Sequence, residues 1–220
     1  MEKIDLQTWE RTEHFNFFQS MKKCNYDTTV QQDVTALCAY RRQAKDSGRE
    51  LRLSDIIYFF AMKAVNSIPE LRTRVVDGNP VIYDIIHPAF TYIPKDRKLH
   101  ANVLCRYSPD FREQAANFDN ARHESDISPT LTPRGGDRQN LIYFSIVAGV
   151  PFTSASNPWG DCSCDSVPRI LFGQIHENDS GKKMLPVSIE LLHSLADGQH
   201  LAGFYDLFGQ MCASPAEFLD

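Results

Sequence analysis

The sequence predicts an α+β fold, a two-layer sandwich in which a mixed β-sheet packs against helices. Three observations lead there. Helical and strand periodicities are interspersed without strict βαβ alternation. The last third holds a series of Ile, Val, Leu and Phe-rich strand runs followed by one amphipathic helix. The composition, 42% hydrophobic and 23% charged over 220 residues, is that of an ordinary globular protein able to build one sizeable core. No repeat, low-complexity tract or linker-like shift in composition marks a boundary, so residues 1–220 are expected to form one domain.

In chain order, 25–35 is rich in β-branched residues and partly alternates apolar with polar, which suits a half-buried strand. Residues 36–46 read as helix. Ser54 is a good N-cap for a helix over 55–67, whose Ile56, Ile57, Phe59, Phe60, Ala64 and Val65 form a broad apolar face, with Pro69 ending it or beginning the next turn. Two strand-like runs lie between 72 and 93, separated by Asp77-Gly78-Asn79-Pro80, whose Asp-Gly pair signals a hairpin. A helix is predicted over 109–123. The segment 129–140, with two prolines and Gly135-Gly136, reads as a loop. Strands are predicted at 141–148, 151–156, 169–176 and 184–192, then a helix over 198–212 that buries Leu201, Phe204, Tyr205, Phe208, Met211 and Cys212 on one stripe.

A net charge of −5 supplies no basic field for phosphate backbones, and nucleic acid is not an expected partner. The first residues lack the apolar centre of a signal peptide and no apolar run reaches membrane-spanning length, so a cytoplasmic address without membrane contact is expected. Six cysteines are too sparse for a disulfide scaffold, and buried thiols are the default. Cys162-Ser163-Cys164 lacks the second Cys or His pair of a zinc site, so no metal is expected.

The junction of the last strand and last helix reads His193-Ser194-Leu195-Ala196-Asp197-Gly198. It places an imidazole, the side chain best suited to take a proton near neutral pH, at a strand end beside a turn-forming Asp-Gly. A His-x-x-x-Asp-Gly match arises by chance in roughly one chain in fifty of this length, so the motif alone leaves two readings open: a general base, or a buried strand histidine followed by a helix cap.

The amino-terminal block decides between them. Trp9-Glu10-Arg11-Thr12-Glu13-His14-Phe15-Asn16-Phe17-Phe18, followed by Cys24 and Tyr26, closely resembles the signature of the chloramphenicol acetyltransferases. The resemblance continues through Pro69-Glu70-Leu71-Arg72, Val81-Ile82-Tyr83-Asp84, His87-Pro88, Phe90-Thr91, Phe152-Thr153-Ser154 and Leu185-Pro186-Val187-Ser188 to the His193 block. It implies that family's sandwich fold, and transfer of an acetyl group from acetyl-CoA as co-substrate to the hydroxyl of chloramphenicol, within a ternary complex, as in antibiotic resistance. It implies a homotrimer with its sites between subunits. Residue by residue, it implies His193 as general base, Ser145 as the hydroxyl that stabilises the oxyanion, and Asp197 paired with Arg11 to lock the loop rather than to orient the histidine. Phe18, Cys24 and Tyr26 fit the family's acceptor pocket.

Several positions depart from the pattern. Ala155 and Asn157 stand where the family places phenylalanine and leucine, while Arg169 and Leu171 replace an apolar residue and a threonine. The family also often has a second histidine beside the catalytic one and a cysteine before the Asp-Gly, whereas here Ser194 follows the base and Ala196 precedes Asp197. A cation in an apolar pocket is costly unless an anionic partner meets it. These changes keep two alternatives open: the same chemistry on a more polar hydroxyl acceptor, with Arg169 in the acceptor site, or a binding protein of this fold that sequesters a hydrophobic compound without catalysis. The acyltransferase cores of 2-oxoacid dehydrogenase complexes and peptide-synthetase condensation domains share the His-x-x-x-Asp-Gly element, but the short chain without a lipoyl domain fits neither.

Overall fold

The computed structural model describes residues 1–161 and 164–220; the Cys162-Ser163 part of the cysteine motif lies outside them. In order the chain forms β1 (Glu2–Lys3), α1 (Thr12–Gln19), β2 (Asn25–Asp33), α2 (Thr35–Asp46), α3 (Leu53–Ser67), a 3-10 turn (Pro69–Arg72), β3 (Thr73–Val76), β4 (Asn79–Ile82), β5 (His87–Tyr92), β6 (Ala101–Leu104), α4 (Phe111–Ile127), β7 (Leu141–Ile146), β8 (Arg169–Phe172), β9 (His176–Glu177), β10 (Lys183–Leu192), α5 (Gly198–Ala213) and α6 (Ala216–Leu219).

The main sheet runs β2-β10-β8-β7-β5-β6, with β9 pairing beside β10, and a small sheet runs β1-β4-β3. β5, β7 and β8 are parallel neighbours while the other pairs are antiparallel, which makes the sheet mixed, as the sequence predicts. Strand pleating sorts the side chains onto two faces. Phe90, Phe144, Ile170 and Ile189 lie in one row across β5, β7, β8 and β10 and pack into the core with Ile57, Phe60, Phe204 and Phe208 of α3 and α5. The opposite face carries Thr91, Ser145, Leu171, Ser188 and Thr29 in one row, and Tyr143, Arg169, Glu190 and Asp27 in the next. α3 is buried on nearly every side, as its almost continuous apolar sequence requires.

Four expectations need correction. The segment 151–156 is not a strand. Pro151 and Pro158 lack ladder donors, and the segment crosses the sheet face, where Gln31 and Ser188 side chains donate to its Phe152 and Ala155 carbonyls. The run 169–176 divides into β8 and β9 because Gly173 approaches Pro186 so closely that a Cβ would lie 2.8 Å from its ring. Helix α3 starts at Leu53 with Arg52 at the N-cap, so Ser54 is inside its first turn, its hydroxyl on Asp55. The hairpin turn is only Asp77-Gly78, both at positive φ, while Asn79 and Pro80 already belong to β4. β1, α1, β6 and α6 were not predicted; all four are short.

Cys24, Cys105 and Cys212 are buried, Cys38 is half-buried, and Cys164 is exposed. Burial pushes the Cys105 thiol up to about 12. Among the described residues no helix is long and apolar enough to cross a membrane, and no group of three or more His, Cys, Asp or Glu side chains is arranged to hold a metal.

Candidate active site

β10 delivers His193 to the end of the sheet. Its backbone N–H donates to the Cys24 carbonyl at 2.8 Å, extending the β10–β2 pairing by one residue. The chain then turns through 194–197, with the Leu195 and Ala196 amides on the Leu192 carbonyl, and enters α5 at Asp197.

The His193 ring is packed by two aromatic rings, Phe18 stacked at 4.1 Å and Tyr26 tilted at 4.5 Å between centroids. Its Nδ1 lies 3.2 Å from the Ala196 carbonyl oxygen, with which it hydrogen bonds, and also 3.2 Å from Asp197 Oδ1. Both neighbours are acceptors, so the neutral ring carries its proton on Nδ1 and leaves Nε2 with a free lone pair. The side chain keeps 36% of its surface.

Arg11 holds the loop from below. Its guanidinium binds the Asp197 carboxylate in bidentate fashion at 2.5 Å, and donates to the carbonyls of His193 at 2.9 Å and Ser194 at 3.0 Å. The hydrogen bonds from Arg11 hold the Asp197 carboxyl below its ordinary value. Burial, with Asp197 adding to it, pushes the Tyr26 phenol up to about 12, so Tyr26 stays protonated and its hydroxyl points to the Ala196 carbonyl at 3.4 Å. Asp197 is thus placed between Arg11 and the His193 ring, whereas the resemblance implied a pairing with Arg11 rather than any approach to the histidine.

His193, Asp197, Arg11, Phe18, Cys24 and Tyr26 therefore come together. Ser145 and Arg169 do not join them. Ser145 is in register with Leu171 and Ser188, two strands across from β10 and five residues short of His193. At ordinary strand dimensions the two side chains are roughly 15–20 Å apart within one chain. The Ser145 hydroxyl shares a 3.0 Å hydrogen bond with Thr91, and Thr91, Tyr143 and Arg169 wall a cavity of about 620 Å³ that His193 does not line.

Arg169 has its anionic partner. It donates to Asp165 Oδ2 at 2.6 Å and to the Val167 carbonyl at 2.9 Å, and its guanidinium lies 3.8 Å from the Trp159 ring centroid. Next to it across the strands, buried Glu190 accepts from both the backbone and the side-chain nitrogen of Asn157, at 2.7 and 2.6 Å. The two polar departures, Arg169 and Asn157, thus each come with a carboxylate partner.

Sequence reading missed Gln19, which donates to buried Ser194 Oγ at 2.8 Å, and His200, whose Nδ1 accepts from the Asp197 amide at 2.8 Å. His200 had a signal in its spacing: a side chain three residues into a helix is placed to reach back to the N-cap amide.

A family model, chloramphenicol acetyltransferase, matches residues 1–208. Chloramphenicol acetyltransferase 2 of Haemophilus influenzae is 27% identical over 96% of each chain, and a chloramphenicol acetyltransferase of Streptomyces acrimycini 30% identical over 97% of this chain and 94% of its own. A solved chloramphenicol acetyltransferase structure superposes with a TM-score of 0.79 at 24% identity, covering 96% of this chain and all of that one. A dihydrolipoamide acetyltransferase of Azotobacter vinelandii shares the fold alone, with a TM-score of 0.68 at 14% identity over 94% of this chain and 88% of that one. On this match over nearly its whole length, the chain belongs to the chloramphenicol acetyltransferase family, and it is an acyltransferase of that type.

Proposed function

We propose that this protein transfers the acetyl group of acetyl-CoA to a hydroxyl of chloramphenicol, in the cytoplasm, as an antibiotic-resistance enzyme folded as one domain over residues 1–220. The observation that carries the mechanism is the His193 ring with both acceptors on its Nδ1 side and Nε2 left open. His193 Nε2 takes the proton of the acceptor hydroxyl as its oxygen attacks the thioester carbonyl. The tetrahedral oxyanion is met by the Ser145 hydroxyl, a preorganised donor whose contribution is about 3 kcal/mol in the transition state. Collapse breaks the C–S bond, and the imidazolium returns its proton to the leaving thiolate. The products are an acetyl ester and free CoA thiol, with neither a covalent acyl-enzyme nor a metal required.

Ser145 and His193 of one chain are too far apart to share a reacting carbonyl. The reading therefore requires a homotrimer in which one subunit's His193 faces Ser145 and Thr91 of its neighbour, with Phe18, Cys24 and Tyr26 accompanying the base.

A second reading, a more polar hydroxyl acceptor, is favoured by Arg169, paired with Asp165, in the cavity wall and by the Glu190–Asn157 pair beside it on the sheet. The deciding experiment measures CoA thiol release from acetyl-CoA with chloramphenicol and with a panel of polyhydroxy compounds. Turnover with chloramphenicol and none with the panel is expected; a folded protein silent on chloramphenicol but active on a polar alcohol would replace the first reading by the second.

A further inference from the structure

The Ala196–Asp197 peptide unit is gripped at both ends. Its carbonyl oxygen is the hydrogen-bond acceptor of His193 Nδ1 at 3.2 Å and also takes the Tyr26 hydroxyl at 3.4 Å. Its N–H is the Asp197 amide, which donates to His200 Nδ1 at 2.8 Å. A trans peptide is planar, with its C=O and N–H on opposite sides, so fixing the N–H direction fixes the carbonyl direction. His200 accepts through Nδ1, and its neutral ring therefore carries its proton on Nε2. That nitrogen lies 3.5 Å from Glu70 Oε1, on the 3-10 turn after α3. His200 is largely enclosed, with 14% of its side chain exposed.

From this chain of contacts we propose that His200, braced by Glu70, is a positioning residue that sets the tautomer of His193 through the Ala196–Asp197 peptide. Arg11 acts through a different group: it holds the His193 and Ser194 carbonyls and the Asp197 carboxylate, whose Oδ1 is the second acceptor beside Nδ1, and it makes no contact with this peptide unit. Without an acceptor at His200 the peptide keeps only the Tyr26 hydroxyl on its carbonyl, and that carbonyl is less firmly aimed at Nδ1. With the Asp197 carboxylate as the one fixed acceptor on that side, a share of the ring proton moves to Nε2. A ring protonated on Nε2 cannot accept a hydroxyl proton there. The Glu70 carboxylate, 3.5 Å from Nε2 of His200, favours the ring proton on that nitrogen by its charge and so keeps Nδ1 an acceptor. This inference rests on the reading of His193 as general base.

The experiment compares wild type with His200→Leu, which removes the acceptor at similar size, and His200→Gln, which can accept from the N-cap amide as in a capping box. Long-range ¹H–¹⁵N correlation spectra of the ¹⁵N-labelled protein, with His193 assigned through His193→Gln, report its tautomer without any acceptor or acetyl-CoA. Wild type should show His193 protonated on Nδ1 and His200 on Nε2; His200→Leu should show His193 averaged between tautomers, and His200→Gln should restore the wild-type pattern. In turnover, His200→Leu should lose kcat by about tenfold at unchanged KM for acetyl-CoA, and His200→Gln should recover to within about twofold. A folded His200→Leu with wild-type His193 shifts overturns the proposal, as does a Gln variant that fails to rescue. If the Leu variant does not fold, wild type alone decides: a His200 proton on Nδ1 sinks the idea. A wild type without turnover on any acceptor would instead overturn the proposed function, while the spectra still test the positioning.

Discussion

The loop that carries His193 and the wall that carries Arg169 belong to the same sheet, yet they are held by different kinds of contact. Around His193 the partners are largely main chain: the Cys24 carbonyl, the Ala196 carbonyl, and the His193 and Ser194 carbonyls on Arg11. Around Arg169 the contacts are predominantly between side chains, Asp165 and Trp159 with Arg169, and Asn157 with Glu190. Contacts to backbone tolerate few substitutions of the residue that makes them, because the peptide geometry is the same in every chain of this fold. Side-chain pairs can be exchanged together at little cost to the fold. Under the proposed function, the difference teaches that the transfer chemistry and the choice of acceptor are structurally separable, with the proposed base held by main chain on one end and an adjustable cavity on the other.

The sharpest way to break this comparison is at the base itself. His193→Ala should leave folding intact, since the side chain is one-third exposed, and lower kcat by roughly 10⁴-fold, the upper range for a general base. Retention of turnover would mean that the loop is only structural. Ser145→Ala should follow, with a loss of about 10²–10³-fold in kcat. Mixing the two inactive variants then tests the division of the site between chains. After joint refolding, random assortment in a cyclic trimer should pair an intact His193 with an intact Ser145 at about one interface in four, and restore a corresponding share of activity. No recovery would place both residues in one chain's site and contradict the strand register.

Arg11→Ala addresses the main-chain clamp. It strips donors from two carbonyls and leaves the Asp197 carboxylate without its cation, a loss of about 2 kcal/mol given that Asp197 keeps 30% of its side-chain surface in water. The pH dependence has a definite sign. The Asp197 carboxyl is held below its ordinary 3.8, so the pair's contribution is complete above that value and disappears as pH falls through the lower, folded-state value. Chemical denaturation at about pH 7 and about pH 3 should show the gap between wild type and Arg11→Ala narrowing in acid. A constant gap would mean that the carbonyl contacts, not the ion pair, carry the stabilisation.

The same contrast explains what was legible in the sequence. β7, β10 and α5 announced themselves because their apolar residues follow one period over six to sixteen residues. The His193 loop was legible through Arg11 and Asp197, whose residue types are dictated by backbone carbonyls and a helix start. β1 and β6 were not, because two and four residues are too few to show a period. The segment 151–156 misled for a physical reason: it lies on a sheet and is partly apolar like a strand, but its carbonyls accept from Gln31 and Ser188 side chains that no local pattern reveals. His200 escaped notice because its partner is a backbone amide whose importance depends on what the other end of that peptide touches.

The smallest expected effect lies at the adjustable wall. Arg169 and Asp165 are mostly enclosed, with 12% and 22% of their side chains exposed, and Asp165 also accepts from the Gly160 amide at 2.8 Å. Arg169→Ile alone leaves that carboxylate without its cation and should destabilise by about 1–2 kcal/mol, whereas Arg169→Ile with Asp165→Asn should recover about 1 kcal/mol of the loss. Thermal denaturation of the two single variants and the pair gives the coupling directly; additive losses would show that the ion pair is not a unit. The same double variant separates the acceptor readings. If the pair shapes the cavity for a polar alcohol, making the wall apolar should lower KM for chloramphenicol by roughly threefold to tenfold, the range open to a small change in pocket surface. If chloramphenicol is already the native acceptor, KM should stay level or rise, because the stacked Arg169 and Trp159 faces then form part of the surface it packs against.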